Sequence, residues 1–365
     1  MGVKSIKLID KYFGYITCLF LGIFNFKPKE KEPKNILLIQ LWGIGETILA
    51  LPAIKELRKN KKAKIDILVT NRVKEIFYKN KDIDNVKVLR LNPFSIKWFM
   101  LKNFKKYDLV IDMEEYLNIS SIIAFFTGKE RIGYSHGVRS LLYTKKVIYN
   151  DRQHVTQTFM DLLIPLGIKE KATKLLSLNY SPYDKKRVNN LLKNKIFKKD
   201  FVVGLGIGAA ESAKSRMWPG ERFAKVADYL VEKYKAKIVF VGSKDEEKLI
   251  NGIRNLMKNK NNSFNLAGKT SVREMFYLIK LCSLFIGNDS GPMHAAAAQK
   301  VRTIGLFGCN LPVRFAPFGK KNSAIRKQTG EPCINVHKRE VGECKHGIDN
   351  ACVKKIKVRD VINRI

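Results

Sequence analysis

From residue 34 onward, short apolar runs alternate with longer amphipathic ones, and that order leaves few architectures open. Runs of strand length lie at 36–41, 65–69, 86–89, 109–113, 201–205, 237–241, 284–287 and 303–307. Helical periodicity occupies stretches such as 45–58, 95–104, 221–234, 246–257 and 272–281. Strand and helix in strict succession build βα units, which bury a parallel sheet between two helical faces. The class is α/β. A polar, basic stretch at 169–200, poor in strand signal, interrupts the pattern. Enough βα units remain on each side for one doubly wound domain, so the 365 residues predict two such domains facing each other across a cleft. Their bounds read as 34–180 and 181–330, with an amino-terminal segment 1–33 and a carboxyl-terminal tail 331–365.

Ligands of such folds sit beyond the carboxyl ends of strands, and four constellations occupy those positions. In LWGIGETILALPAI, residues 41–54, Gly43 and Gly45 permit a tight turn, and Glu46 opens the next helix. Glu46 is equally consistent with an ordinary first-turn acid that complements the helix dipole. In the stretch 204–230, Lys214 and Arg216 precede Trp218-Pro219, where proline suits a first helical turn. Two cations there suit an anion at a strand end, or only solvent. In VGSKDEEKL, residues 241–249, Glu246 is the acid best placed to accept from ribose hydroxyls, and a solvated helix start is the alternative. LFIGNDSGPMHAAAA, residues 284–298, is the most specific. A buried strand ends at Asp289, a helix begins around Ser290, Gly291 and Pro292, and His294 rides on its first turns. Such a start aims backbone N–H groups and the positive helix end at an anion such as a diphosphate. Read in isolation, Asp289 also fits a plain N-cap and His294 a plain helix residue.

Lys+Arg minus Asp+Glu is 69 − 33 = +36, a balance that predicts phosphate-rich partners. Nucleic acid is disfavoured, because no basic face with interleaved aromatics and no reading motif is visible. Residues 12–26 carry no charge and are flanked by lysines, yet a crossing helix needs about 20 apolar residues. No small-x-small cleavage site precedes Phe26, and Ile6 breaks a myristoylation motif after Gly2. The segment therefore reads as an interfacial or shallow anchor on an anionic surface, with a helix packed on its own domain as the alternative. Cys18, Cys282 and Cys309 lie singly in apolar stretches and read as packing residues. Cys333, Cys344 and Cys352 accompany His337 and His346, but no C-x-x-C pair occurs, so no metal is assigned.

Taken together, D-S-G-P-M-H-A-A-A at 289–297, R-M-W-P at 216–219 and G-I-G-E-T-I-L-A-L-P-A at 43–53 resemble the hallmarks of the heptosyltransferase family of lipopolysaccharide core assembly, glycosyltransferase family 9. The similarity runs from about residue 35 to the carboxyl terminus. The resemblance implies a GT-B architecture of two Rossmann-like domains and an inverting, metal-independent transfer. It also implies a nucleotide-sugar donor, ADP-heptose, as substrate rather than cofactor, and a glycolipid acceptor met at the cytoplasmic face of the inner membrane. Glu46 stands where the family usually has an aspartate proposed as general base, a departure of one methylene. Arg216 stands where the family has a lysine that contacts the departing phosphates. Asp289, Ser290, Gly291 and His294 match the diphosphate segment, Lys214 supports it, and Glu246 matches a ribose-contacting acid.

Overall fold

In the computed structural model, which describes residues 3–26, 28–29, 31–41, 43–193, 195–196, 199–209, 211–327 and 351–365, the alternation becomes two parallel sheets. The chain divides into two compact units between Thr173 and Lys174, inside the 169–200 break in the sequence pattern and a few residues before the 180/181 bound that the pattern predicts.

In unit 1 the strands are β1 (Asn35–Ile39), β2 (Lys64–Val69), β3 (Asn85–Val88), β4 (Tyr107–Asp112), β5 (Gly128–Tyr134) and β6 (Lys145–Val147). Its helices are α1 (Val3–Gly22), α2 (Ile44–Asn60), α3 (Pro93–Lys102), α4 (Asn118–Thr127) and α5 (Val155–Asp161). Sheet order is β3-β2-β1-β4-β5-β6, with every paired neighbour parallel. This is the order of the dinucleotide-binding doubly wound fold. Leu37, Ile39, Leu68 and Val110 of the sheet pack with Ile123 and Ala124 of α4.

Unit 2 repeats the plan. Its strands are β7 (Val202–Gly206), β8 (Lys237–Val241), β9 (Ser263–Asn265), β10 (Leu284–Asn288), β11 (Arg302–Phe307) and β12 (Ser323–Arg326). The order β12-β11-β10-β7-β8-β9 is the same topology listed from the other edge, again parallel. Around it lie α6 (Pro182–Leu192), α7 (Gly220–Tyr234), α8 (Glu247–Asn255), α9 (Val272–Lys280), α10 (Gly291–Ala298), α11 (Pro312–Phe315), α12 (Ala351–Lys354) and α13 (Val358–Ile362). The described end of the chain belongs to this core. Val353, Ile356 and Val361 join Leu205, Phe223, Phe240 and Ile304 in one buried cluster, and Trp218 Nε1 donates to the Ile356 carbonyl at 2.9 Å.

The amino-terminal segment is helical and built into unit 1. Asp10, Gly14, Cys18 and Gly22 recur every fourth residue and so form one stripe of α1. Asp10 accepts from the first amides of α4, Asn118 N–H at 3.0 Å and Ile119 N–H at 2.6 Å. It does for α4 what that helix's own N-cap, Leu117, has no side chain to do. Gly14 allows the approach, because a Cβ there would lie 2.8 Å from Asn118 Cβ. No helix among the described residues is long and apolar enough to cross a membrane. Cys18, Cys282, Cys309 and Cys352 are buried, and burial pushes the Cys282 thiol up to about 12. Cys333, Cys344, His337 and His346 lie outside the described residues.

Candidate functional site

Each sheet reverses its order between two neighbouring strands, β1 beside β4 and β7 beside β10. The connections leaving such strands run to opposite sides and open a crevice at their carboxyl ends. Most of the residues singled out in the sequence stand at these two reversals.

In unit 2, Asn288 ends β10 and ties down the segment that follows β7. Its Oδ1 accepts from Trp218 N–H at 3.0 Å and its Nδ2 donates to the Ile207 carbonyl at 2.7 Å. That clamp sets Arg216 beside Asp289, with Nη1 at 3.1 Å from Oδ2. Asn310, just after β11, donates to the same oxygen at 2.9 Å, and His294 Nε2 lies 3.9 Å from Oδ1. Asp289 is only 3% exposed, so its charge is one that burial would penalise heavily without these partners. Ser290 holds the N-cap position of α10, while the aspartate orients a cation. Gly291 and Pro292 open the helix, whose first amides and positive dipole end face away from its body. Among the described residues, Ser290 Oγ is buried with no hydrogen-bond partner. Lys214 is exposed on the turn that leads into Arg216. A guanidinium, a hydroxyl and a helix start thus stand together at the end of β10, with a lysine two residues before the guanidinium.

Glu246 starts from β8 and reaches the neighbouring strand end. One oxygen accepts from Ser243 N–H at 2.7 Å in a capping box, so the solvated helix-start reading is half right. The other lies against Gly208, where a Cβ would stand 1.6 Å from Oε1. Only glycine admits the carboxylate there. Burial raises the Glu246 pKa, opposed by its bonds to Ser243.

In unit 1, Gly43 turns the chain out of β1 with φ +83°, and its carbonyl accepts both Thr47 N–H at 3.1 Å and Thr47 Oγ1 at 2.7 Å. Glu46 folds back over this glycine, its Oε2 lying 2.0 Å from where a Cβ would be. Gly45 is buried in the first turn of α2. The first-turn reading of Glu46 holds as geometry, and the half-buried carboxylate still stands at the strand end.

Sequence reasoning missed a second acidic group across this reversal. After β4 come Glu114 and Glu115, both buried. Glu114 Oε1 accepts from Leu41 N–H at 2.6 Å and so fixes the start of the segment carrying Gly43 and Glu46. Arg139, itself buried, donates to the Glu114 carbonyl and to Asp112 Oδ2, the latter at 2.7 Å. Tyr143 and Ser120 donate to the same Asp112 oxygen at 2.6 and 2.8 Å. Burial alone would lower the Arg139 pKa; Tyr143 and Asp112 overcome it and hold the guanidinium charged. His136 Nε2 lies 2.6 Å from the Glu115 carbonyl. The available signal was I-D-M-E-E-Y, three acids at the end of an apolar run. Among the described residues, no group of three or more His, Cys, Asp or Glu is placed to hold a metal ion.

Comparison with known proteins bears on the family and the fold. A profile of Glycosyltransferase family 9 (heptosyltransferase) matches residues 101–345. The lipooligosaccharide heptosyltransferase 2 of Campylobacter jejuni is 26% identical over 293 residues, spanning 77% of this chain and 83% of that protein. A solved glycosyl transferase family 9 structure from Veillonella parvula superposes with a TM-score of 0.77 at 22% identity, covering 93% of this chain and 98% of the other. The structure of the E. coli ADP-heptose lps heptosyltransferase II gives a TM-score of 0.71 at 19% identity, covering 90% and 97%. With the family profile spanning most of the chain and both units carrying its doubly wound sheets, this protein belongs to glycosyltransferase family 9, the heptosyltransferases.

Proposed function

We propose that the protein transfers a heptose from ADP-heptose to the core of a lipopolysaccharide or related glycolipid, by a single inverting displacement that needs no metal. The observation that carries this reading is the Arg216–Asp289 pair beside the start of α10. The donor is the one for which the solved E. coli enzyme is named, and the acceptor class is that of the curated relatives. In the transfer, an acceptor hydroxyl attacks the anomeric carbon as the bond from that carbon to the diphosphate breaks. The hydroxyl proton goes to Glu46, and the bonding pair leaves with ADP. Glu46 acts as general base, a role worth about 10²- to 10⁴-fold in rate. Arg216, supported by Lys214, meets the charge that develops on the leaving diphosphate, together with Ser290, the Gly291 amide and His294. Asp289 positions Arg216, and Glu246 accepts from the ribose. These side chains supply the positive charge that a metal supplies elsewhere. A lipid-borne acceptor brings the protein to the cytoplasmic face of the inner membrane as a peripheral enzyme.

The test is calorimetric titration of the full chain with ADP, UDP and GDP in EDTA, followed by transfer assays with the matching sugar nucleotides. The full chain is required, because deleting residues 1–33 would remove the Asp10 cap of α4. Selective binding of ADP with EDTA present, and transfer from ADP-heptose, support the reading. Preference for UDP or GDP moves the donor while keeping the fold, and binding that EDTA abolishes refutes metal independence.

A further inference from the structure

α1 packs through one side, although from Tyr12 to its end it carries no charge on any side. Its opposite side presents Tyr12, Phe13, Ile16 and Phe20 to solvent, followed by Ile23 just past its end, with Phe13 71% exposed. A helix apolar on every side is stable only when each side is covered. A second helix in the same unit has the same character. Asn92 caps α3 by accepting from Ser95 N–H at 2.8 Å, and Ile96, Phe99 and Met100 pack inward. Phe94, Trp98 and Leu101 point outward, followed by Phe104, and Phe94 is 79% exposed. Both helices cover one buried cluster of unit 1, Leu21 of α1 and Met100 of α3 packing around Cys18, Ile122 and Phe125. So large an exposed apolar surface marks a binding face.

We propose that α1 and α3 together form one face that lies flat in the headgroup region of an anionic bilayer. The proposal deepens the reading above by naming the surface that brings the enzyme to a lipid-borne acceptor, and it rests on that reading only for its purpose. Charge selects lipid over a second copy of the chain. Lys11, Lys97, Lys102 and Lys106 are exposed around the apolar residues, and the one acid of these described segments, Asp10, is buried against Asn118. A twofold contact between copies would bring this lysine rim against itself, whereas anionic headgroups attract each lysine. Tyr12, Tyr15 and Trp98 add the amphipathic rings that favour the boundary between acyl chain and water. At about 1.5 Å per residue, α1 supplies a contact about 30 Å long, laid along the surface rather than through it.

The experiment is cosedimentation of the full chain with phosphatidylcholine vesicles, with and without phosphatidylglycerol. Binding should require phosphatidylglycerol, and both the Phe13→Ser/Ile16→Ser pair and the Trp98→Ser/Leu101→Ser pair should weaken it at least about tenfold. A Leu249→Ser/Leu256→Ser pair, exposed on unit 2, should leave it unchanged. The wild type should also show tryptophan quenching by brominated lipid that Trp98→Phe removes without loss of sedimentation, a readout independent of any folding defect. Vesicle binding indifferent to the α3 pair, or quenching that Trp98→Phe leaves intact, overturns the proposal. So does a dimer without lipid affinity that the α3 pair converts to monomer. Transfer to a delipidated acceptor separates the two readings. If the wild type transfers but ignores vesicles, only this proposal falls; if it binds vesicles as described yet does not transfer, only the transferase reading falls.

Discussion

Gly43→Ala is the sharpest perturbation of the first reversal, because the structure fixes what the added methyl meets. It would stand 2.0 Å from Glu46 Oε2 and 2.6 Å from Cδ, where ordinary contact begins at 3.4 Å. The carboxylate must therefore retreat by about 1.4 Å, a misplacement of the size that costs about 100-fold when a catalytic group is involved. Moving a flexible side chain is cheap in energy; the backbone is not. Position 43 has φ +83°, and holding alanine there costs about 1–3 kcal/mol. For a unit of this size that lowers Tm by about 2–12 °C, at about 2–4 °C per kcal/mol. The assay is steady-state transfer from ADP-heptose, with calorimetric ADP binding and a thermal melt alongside. Turnover should fall about 100-fold while the ADP Kd stays within about twofold, because the nucleotide is assigned to unit 2. Turnover within about threefold of wild type, in a protein that melts as a folded domain, would refute the claim that Glu46 works from its observed position.

The other expectations concern charge. Glu46→Gln should lower kcat by about 10²- to 10⁴-fold with ADP affinity unchanged; near wild-type turnover would remove its role as base. Arg216→Ala and Asp289→Ala should each weaken ADP binding about 10- to 100-fold, since each breaks one charge-assisted pair. Their double variant should lose less than the sum, and full additivity by calorimetry would show that they do not act as a unit. Glu114→Gln keeps an acceptor for Leu41 N–H but loses its charge, so kcat should drop about tenfold with ADP binding intact; an unchanged kcat would limit Glu114 to folding. Burial raises the Glu246 pKa above 4.5, so the folded state holds its proton more tightly than the unfolded state and stability is lost as pH rises through the raised value. Glu246→Gln should accordingly stabilise unit 2 relative to wild type at pH 7 more than at pH 4, while weakening ADP binding. A pH-independent difference in Tm would contradict this.

The buried strands were legible because continuous apolar runs have few other uses; the residues 237–241 read as a strand coincide with β8. β5 was not legible. Its sequence, GKERIGY, carries three charges in seven residues, and the buried Arg131 is accommodated by the nearby Gly128 and Lys129 carbonyls together with two acceptors the local pattern does not supply, the Leu142 carbonyl at 2.7 Å and Asn25 Oδ1. α4 was missed for a related reason. NISSIIAFFT begins with polar residues and lacks a cap of its own, and the acid that completes it stands 108 residues earlier in α1. The unit 2 site was legible because its parts are nearly contiguous, Asp289 through His294. The pairing with Arg216 depends on two strands being neighbours, which topology supplies and local pattern does not. Glu114 and Arg139 escaped for the same reason, Leu41 being brought to Glu114 by the pairing of β1 with β4 and Asp112 to Arg139 by that of β4 with β5.

One strand order occurs twice in this chain, so topology by itself cannot assign different tasks to the two units. The side chains at the two reversals do. Unit 1 places Glu46, Asp112, Glu114 and Glu115 at the ends of β1 and β4, with Arg139 neutralised by its bond to Asp112. An acidic place suits the removal of a proton and repels a diphosphate. Unit 2 places Arg216, Lys214 and a helix start at the ends of β7 and β10, with Asp289 orienting Arg216. A cationic place suits a departing anion and would suppress a general base by holding it ionised with a depressed pKa. Exchanging the tasks would set each group against its own electrostatics. In the proposed transfer, the acceptor role of unit 1 and the donor role of unit 2 would thus follow from which charges the two copies of the fold carry at equivalent strand ends.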